Sequence, residues 1–281
     1  MFDSGMWEAA LFGAVAQSAL VVGALLVWKF PVLKKPVYVG ALMAFGAGAV
    51  ISAVAVDLVA VSYDEAGAGP TAIGIGIGCL IYFGIIALLE RKGDDEQPGE
   101  FIEAQVVEAQ VVEAKVVEGT GHSGDGSVHE HGATKKEARN LTIGMVIDGV
   151  PESVAVGLTL HTASVGVSAA LVGSIFIAAI PEAIGIAAAL LAGGMVLGKV
   201  LLRFSLIVVL GAVFAAVGYS LLYGASDATQ AIIQSIAAGA LLVVVINEMI
   251  PIAVRSVKAW AGVIGAAGFV FSAVLTWAAG G

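Results

Sequence analysis

The chain has 281 residues, of which 59% are hydrophobic, only 12% are charged and 37 are glycine. A soluble fold of this length has too little interior for so much apolar surface, so the composition predicts an integral membrane protein that lies mostly in the lipid bilayer. The formal net charge of −9 argues against nucleic acid as a partner, because nucleic acid requires basic surface.

Eight apolar runs are each long enough to cross a bilayer as a helix, which takes about 20 residues. The runs show no alternation of polar and apolar residues with a period of two, so we predict an all-α protein rather than a β-barrel. In chain order the runs cover residues 7–28, 37–62, 69–90, 141–160, 165–194, 200–223, 229–254 and 258–279. They divide the chain into three spans (1–90), a polar segment (91–139) and five further spans (140–281).

The basic residues predict the orientation of these runs. All 13 lysines and arginines fall at the junctions that follow the first, third, fifth and seventh runs. The opposite junctions contain Asp64, Glu65 and Asp227 but no lysine or arginine. By the positive-inside rule, the basic side is cytoplasmic and both termini are extracytoplasmic, as in a multi-pass protein of the cell membrane.

The polar segment 91–139 combines a short repeat with a cluster of histidines. The repeat EAQVV-EAQVV-EAKVV begins at Glu103, and its period of five matches neither a helix face nor a strand face, which indicates low complexity. His122, His129 and His131 follow the repeat and predict a weak cytoplasmic site for divalent metal ions, since imidazole suits such ions. A flexible polar linker that contains these histidines is the alternative interpretation.

Five acidic residues lie within the predicted spans, at depths where no lysine or arginine can neutralise them. They are Asp57, Asp148, Glu152, Glu182 and Glu248. An ionised acid near the bilayer centre costs about 2.5–3.5 kcal/mol on insertion scales. These side chains must therefore be protonated, face water or share a cation, and a shared cation satisfies several of them at once.

The spacing of the central acids also favours a cation site. Asp148 and Glu152 lie four residues apart and therefore on one helix face. Pro151 directly precedes Glu152, and Pro181 directly precedes Glu182; a proline frees the carbonyl one turn earlier in its helix. Carboxylates beside freed carbonyls form an oxygen-rich cavity suited to a divalent ion, so we predict a metal site formed by Asp148, Glu152 and Glu182.

The motifs around these acids resemble those of the ZIP (Zrt/Irt-like) family of divalent metal transporters. In that family, span 4 carries His-Asn-x-Pro-(Asp/Glu)-Gly, span 5 has a motif that ends in Pro-Glu, and span 7 commonly has His-Glu before a proline. The matching stretches here are Asp148-Gly149-Val150-Pro151-Glu152-Ser153, Pro181-Glu182, and Asn247-Glu248 before Pro251.

The resemblance implies three spans, a central pair that holds the site, and three spans in inverted orientation, a 3+2+3 arrangement. It also implies that divalent metal moves by alternating access, with zinc as the substrate. We expect inward movement without ATP, since nothing in the chain resembles a P-loop. Asp57 and Glu248 would be ligands at the two ends of the path, with Asn247 beside Glu248. A protonated, hydrogen-bonded acid is the alternative for Asp57, an ion pair or gate for Glu248, and an interhelical hydrogen bond for Asn247.

The chain departs from the family pattern where it has Asp148 in place of the histidine and Gly149 in place of the asparagine. Ala178 and Ala179 replace polar residues of the span 5 motif, so we expect one metal site rather than two. Three carboxylates without imidazole form a harder site than zinc usually has, which favours Mn²⁺, Fe²⁺ or Mg²⁺ relative to zinc and leaves Co²⁺ and Cd²⁺ as candidates.

Two other functions stay open at this point. One is a carrier coupled to protons or sodium that uses the same acids as relay groups. The other is a ZIP-derived protein that no longer transports and serves as a membrane metal sensor or partner subunit. We do not expect an enzyme, because the chain contains neither His-Glu-x-x-His nor Gly-x-Ser-x-Gly. The oligomeric state also stays open, with a homodimer as one candidate.

Overall fold

The computed structural model describes residues 4–90, 145, 149–160, 165–192, 195–221 and 225–278. Throughout these ranges the backbone is helical apart from short connections, and it contains no strand. For some residues inside the helices, among them Glu182 and Glu248, only the backbone is described. The loop that contains His122, His129 and His131 lies outside the described residues, as does Asp148.

Eight helices of at least 12 residues follow one another in the described ranges, and they correspond in order to the eight predicted runs. Seven of them are long and apolar enough to cross a membrane, and the fourth is a shorter apolar helix. These helices confirm an all-α protein of the multi-pass membrane type. They are α1 (Ser4–Lys29), α2 (Val37–Ala66), α3 (Ala68–Glu90), α4 (Gly149–Leu160), α5 (Val165–Ala192), α6 (Leu197–Leu221), α7 (Ala228–Val257) and α8 (Trp260–Ala278).

Local chemistry explains several helix limits. Pro36 begins the helical turn that leads into α2, at a position where a missing N–H costs nothing. Gly67 separates α2 from α3 with a φ of 79°, a conformation that glycine adopts without steric cost. Before α7, the Ser226 side chain accepts a hydrogen bond from the backbone N–H of Thr229 at 3.4 Å and so caps the helix.

Both α2 and α7 contain a π-helical segment, Val54–Ala60 in α2 and Val245–Met249 in α7. Each segment contains one of the predicted path acids, Asp57 or Glu248. Such segments are rare and occur frequently at functional sites. The two acids therefore occupy equivalent, locally widened turns of two different helices.

The contacts between α2 and α8 match those between α7 and α3, the pattern expected if the first and last three helices are two structural repeats. A Cβ added at Gly48 in α2 would overlap the carbonyl oxygen of Gly265 in α8. In the same way, a Cβ added at Gly239 in α7 would overlap the carbonyl oxygen of Ile75 in α3. Gly48 and Gly239 are 191 positions apart in the chain, the same separation as Asp57 and Glu248. A second pair of contacts matches closely: Gly268 lies against Phe45, and Gly78 lies against Ile236. Phe45 and Ile236 are 191 positions apart, whereas Gly78 and Gly268 are 190 apart.

Helix packing divides the bundle into two parts that meet at α5. The α2, α3, α7 and α8 helices pack on one another, with α2 against α8 and α3 against α7. On the other side, α1 packs against α6, and Gly157 and Gly218 bring α4 against α6. The α5 helix lies between α1 and α2 and packs extensively on both. Its predicted site residue, Glu182, therefore belongs to the helix that joins the two parts.

Candidate cation site

Glu152, the acid that follows Pro151 in α4, is half-buried and lies beside α1. Its Oε2 accepts a hydrogen bond from Nε2 of Gln17 at 3.3 Å. Gln17 is only 2% exposed, although the helix around it is apolar. An amide in the middle of an apolar span requires a polar partner, and Glu152 supplies one.

Two glycines make room for the Gln17 side chain between α4 and α6. A Cβ at Gly149 would lie 3.3 Å from both Nε2 and Oε1 of Gln17, tighter than an ordinary contact. A Cβ at Gly211 in α6 would overlap Cγ of Gln17. The absence of side chains at these two positions therefore allows Gln17 to reach Glu152 across the helix interface.

A third polar side chain, Ser153, adjoins this pair. It is fully buried, and its Oγ has no hydrogen-bond partner among the described residues. A Cβ added at Gly211 would lie 3.1 Å from the Ser153 Oγ as well as against Gln17, so the two side chains are close to each other. Gln17, Gly149 and Gly211 also line a cavity of about 10 Å³, which has room for about one water molecule; its other lining residues are apolar, namely Val150, Ile207, Leu210 and Phe214.

This arrangement brings carboxylate, amide and hydroxyl groups together where α1, α4 and α6 meet. All three groups offer oxygen ligands, which hard divalent cations prefer. Among the described residues, no group of three histidine, cysteine, aspartate or glutamate side chains could hold a metal ion, either here or elsewhere. Of the predicted three-carboxylate site, only Glu152 has a described side chain, so the meeting of Glu152 with Asp148 and Glu182 stays a prediction.

Asp57 occupies a second, separate polar position, between α2 and α8. It is 1% exposed, and neither carboxylate oxygen has a hydrogen-bond partner within the described parts of the chain. The Thr276 hydroxyl of α8 faces the carboxylate but lies outside hydrogen-bonding geometry, and its oxygen also lacks a described partner. The alternative of a protonated acid that is hydrogen-bonded to a neighbouring helix therefore stays a prediction for Asp57.

The remaining predicted residues lie in α7 and in the cytoplasmic loop. Asn247 is exposed, so its side chain does not occupy the buried interhelical position that a polar residue in a span usually takes. The side chain of Glu248 and the three loop histidines lie outside the described residues. The structure thus gives no contact for the predicted ligand at that end of the path.

Sequence analysis missed Gln17, which the structure places on the main acid of the site. The signal was present, since Gln17 is the amide in the middle of the first apolar run, nine residues after Glu8. Within the first run no ligand was sought because it contains no acid at membrane depth, although amide groups in spans also require polar partners.

The sequence matches no protein-family model and no curated protein. The likeness to the ZIP family therefore rests on the motifs of α4, α5 and α7 quoted above.

Proposed function

We propose that the protein carries divalent metal cations across the cell membrane by alternating access, with Glu152 at the centre of the cation site. The observation that supports this function best is the hydrogen bond of Gln17 to Glu152, with the buried Ser153 hydroxyl near Gln17, inside an apolar bundle. Polar and ionisable side chains inside the membrane cost free energy, and they usually mark a path for ions or protons. Gln17 lies on α1, whereas Glu152 and Ser153 lie on α4. A site divided between two helices in this way can open when the helices move apart.

The directions of the packed helices support eight membrane crossings. The α1 and α6 helices are antiparallel, whereas α3 and α7, α2 and α8, and α4 and α6 form parallel pairs. A chain that reverses at every crossing produces these relations when α4 is counted as a crossing, with both termini on one side. The supporting contacts are Gly5 with Tyr219 and Gly13 with Gly211; Gly74 with Ser235 and Gly78 with Ile236; Ala44 with Gly265 and Asp57 with Thr276; and Ser153 with Gly211 and Gly157 with Ala215.

This count makes the two repeats inverted relative to each other, with α4 and α5 between them. Inverted repeats are common in transporters that expose a central site to each side of the membrane in turn. The arrangement matches the 3+2+3 order that the ZIP resemblance implies. The same resemblance supports inward transport with zinc as a substrate, while the oxygen ligands favour Mn²⁺ and Fe²⁺ relative to zinc.

The decisive experiment is metal flux into proteoliposomes with Zn²⁺, Mn²⁺, Fe²⁺, Co²⁺, Cd²⁺ and Mg²⁺ as test ions. We expect wild-type flux with at least one ion and loss of that flux in Glu152→Gln and in Asp148→Asn, because each variant removes a charged ligand. Glu8→Gln is the matched control, since Glu8 is exposed at the start of α1 and its loss should leave flux unchanged. Flux that survives Glu152→Gln would place the cation site elsewhere.

A carrier coupled to protons or sodium is the second candidate, and Asp57 is the residue that favours it. A buried acid without a described partner is the arrangement expected of a group that takes up and releases a small cation. That function predicts solute or ion flux that depends on a proton or sodium gradient and not on any divalent metal. Metal binding without any flux would instead favour a sensor or partner subunit.

A further inference from the structure

We infer that Gln17 is a positioning residue of the cation site, which holds the Glu152 carboxylate in the orientation that receives the ion. The inference rests on the proposed function and adds a helix, α1, to the site. It concerns a residue outside the acid motifs, which only the packing of α1 against α4 and α6 reveals.

The first support is that the Gln17 side chain is fixed. It is 2% exposed and lies between Gly149 and Gly211, each of which would contact it too closely if it carried a Cβ. A side chain confined on two sides by helix backbone has few other rotamers available. Its amide therefore presents N–H groups to α4 from a constant position.

The second support is the way in which the amide engages the carboxylate. Nε2 of Gln17 donates to Oε2 of Glu152, which orients the carboxylate plane. Because the amide is neutral, it orients Glu152 without cancelling the charge of the carboxylate. A lysine or arginine in its place would cancel that charge. Such outer partners of metal ligands keep the ligand in place, and their loss typically weakens metal affinity by about 10–100-fold.

The test compares Gln17→Met with Gln234→Met. Methionine is close to glutamine in size and removes the amide, and Gln234 is a second fully buried glutamine, located in α7. With Mn²⁺ as the probe, binding to purified protein is followed by the loss of the free-ion electron paramagnetic resonance signal, and flux is measured in proteoliposomes. We expect Gln17→Met to raise the Mn²⁺ dissociation constant and the KM for flux by about 10-fold or more, with little change in maximal rate.

Gln234→Met should leave the dissociation constant and KM unchanged. An unchanged KM in Gln17→Met, with or without a fall in maximal rate, would show that Gln17 is merely structural and overturn the inference. A double-mutant cycle of Gln17→Met with Glu152→Gln, read by thermal unfolding without metal, separates the two proposals. Zero coupling overturns the positioning role alone. If the cycle shows coupling but the wild-type protein neither binds nor carries Mn²⁺ or the other test ions, the proposed function and the inference are overturned together.

Discussion

At the scale of single residues, Asp57 presents the largest imbalance between burial and hydrogen bonding in the described part of the protein. Its carboxylate is enclosed, and two other buried hydroxyls, that of Ser52 in the same helix and that of Thr276 in α8, also have no described partner. A buried polar atom without a partner costs about 1–3 kcal/mol in mutational data. The protein therefore retains Asp57 at the expense of stability, as expected of a functional group.

Replacement of Asp57 by leucine should accordingly stabilise the fold. We expect Asp57→Leu to raise the free energy of unfolding by about 1–3 kcal/mol, because the substitution removes two unpaired oxygens from an apolar environment. Thermal unfolding of the protein in detergent measures this change. Asp64→Leu, at an exposed position near the end of the same helix, should have little effect. A less stable Asp57→Leu variant would show that the carboxylate is paired in the membrane.

At the scale of helices, glycine determines which pairs can approach closely. Gly157 of α4 faces the backbone of α6, where an added Cβ would overlap the carbonyl oxygen of Ala215 and lie 2.8 Å from the Tyr219 nitrogen. Helix backbone cannot yield as a flexible side chain can. The contact therefore fixes the distance between α6 and the helix that contains Glu152.

Gly157→Ala should separate α4 from α6 and cost about 1–3 kcal/mol of stability, the usual range for overpacking. Gly185→Ala in α5 is the control, since no described atom lies within 4 Å of its added Cβ. Thermal unfolding compares the two variants, and metal binding reports on the displacement of Glu152. Equal stability of both variants would mean that α4 and α6 are less closely packed than the structure shows.

The helices themselves were largely predictable, because lipid permits few alternatives to an apolar helix. The second run was predicted to end at residue 62, yet α2 continues to Ala66, since Tyr63, Asp64 and Glu65 remain helical where the span meets water. The pairing of Gln17 with Glu152 was not predictable. Spans that are apolar on every face give no periodicity that indicates which face turns inward.

The π segments also escaped prediction. An extra residue in a turn depends on how neighbouring helices pack, which residue preferences do not report. The repeat offered an indirect route, since the stretch Ala47-Gly48-Ala49 recurs as Ala238-Gly239-Ala240 at the spacing that also relates Asp57 to Glu248. Alone, this match is too short to identify the acids as equivalent positions, since Ala-Gly-Ala also occurs at residues 66–68.

At the scale of the whole molecule, alternating access requires that one part of the bundle move against another, and the α2–α5 interface is the boundary between the two parts. A Cβ at Gly46 in α2 would lie 3.1 Å from the Cβ of Ala178 in α5, within reach of a disulfide after a small shift. In a Cys79→Ala background, oxidation of Gly46→Cys/Ala178→Cys should therefore stop metal flux, and reduction should restore it.

The control links two helices of the same part. Gly74 in α3 and Ser235 in α7 are similarly close, with an added Cβ 2.8 Å from that of Ser235. Oxidised Gly74→Cys/Ser235→Cys should retain flux, because α3 and α7 are expected to move together. Flux through the oxidised α2–α5 variant would show that the motion occurs at another interface.

The contact of Gly46 with Ala178 also bears on the energy that is needed to slide α5 along α2. Where helices carry large side chains, the ridges of one pack into the grooves of the other, so a shift along the helix axes must separate them. Where a glycine lies against an alanine, the two surfaces are nearly smooth, and the energy changes little as one slides along the other. In the proposed carrier, the helix that contains Glu182 would therefore meet little resistance at this contact, and a bound ion would need to supply only a small driving force to shift it.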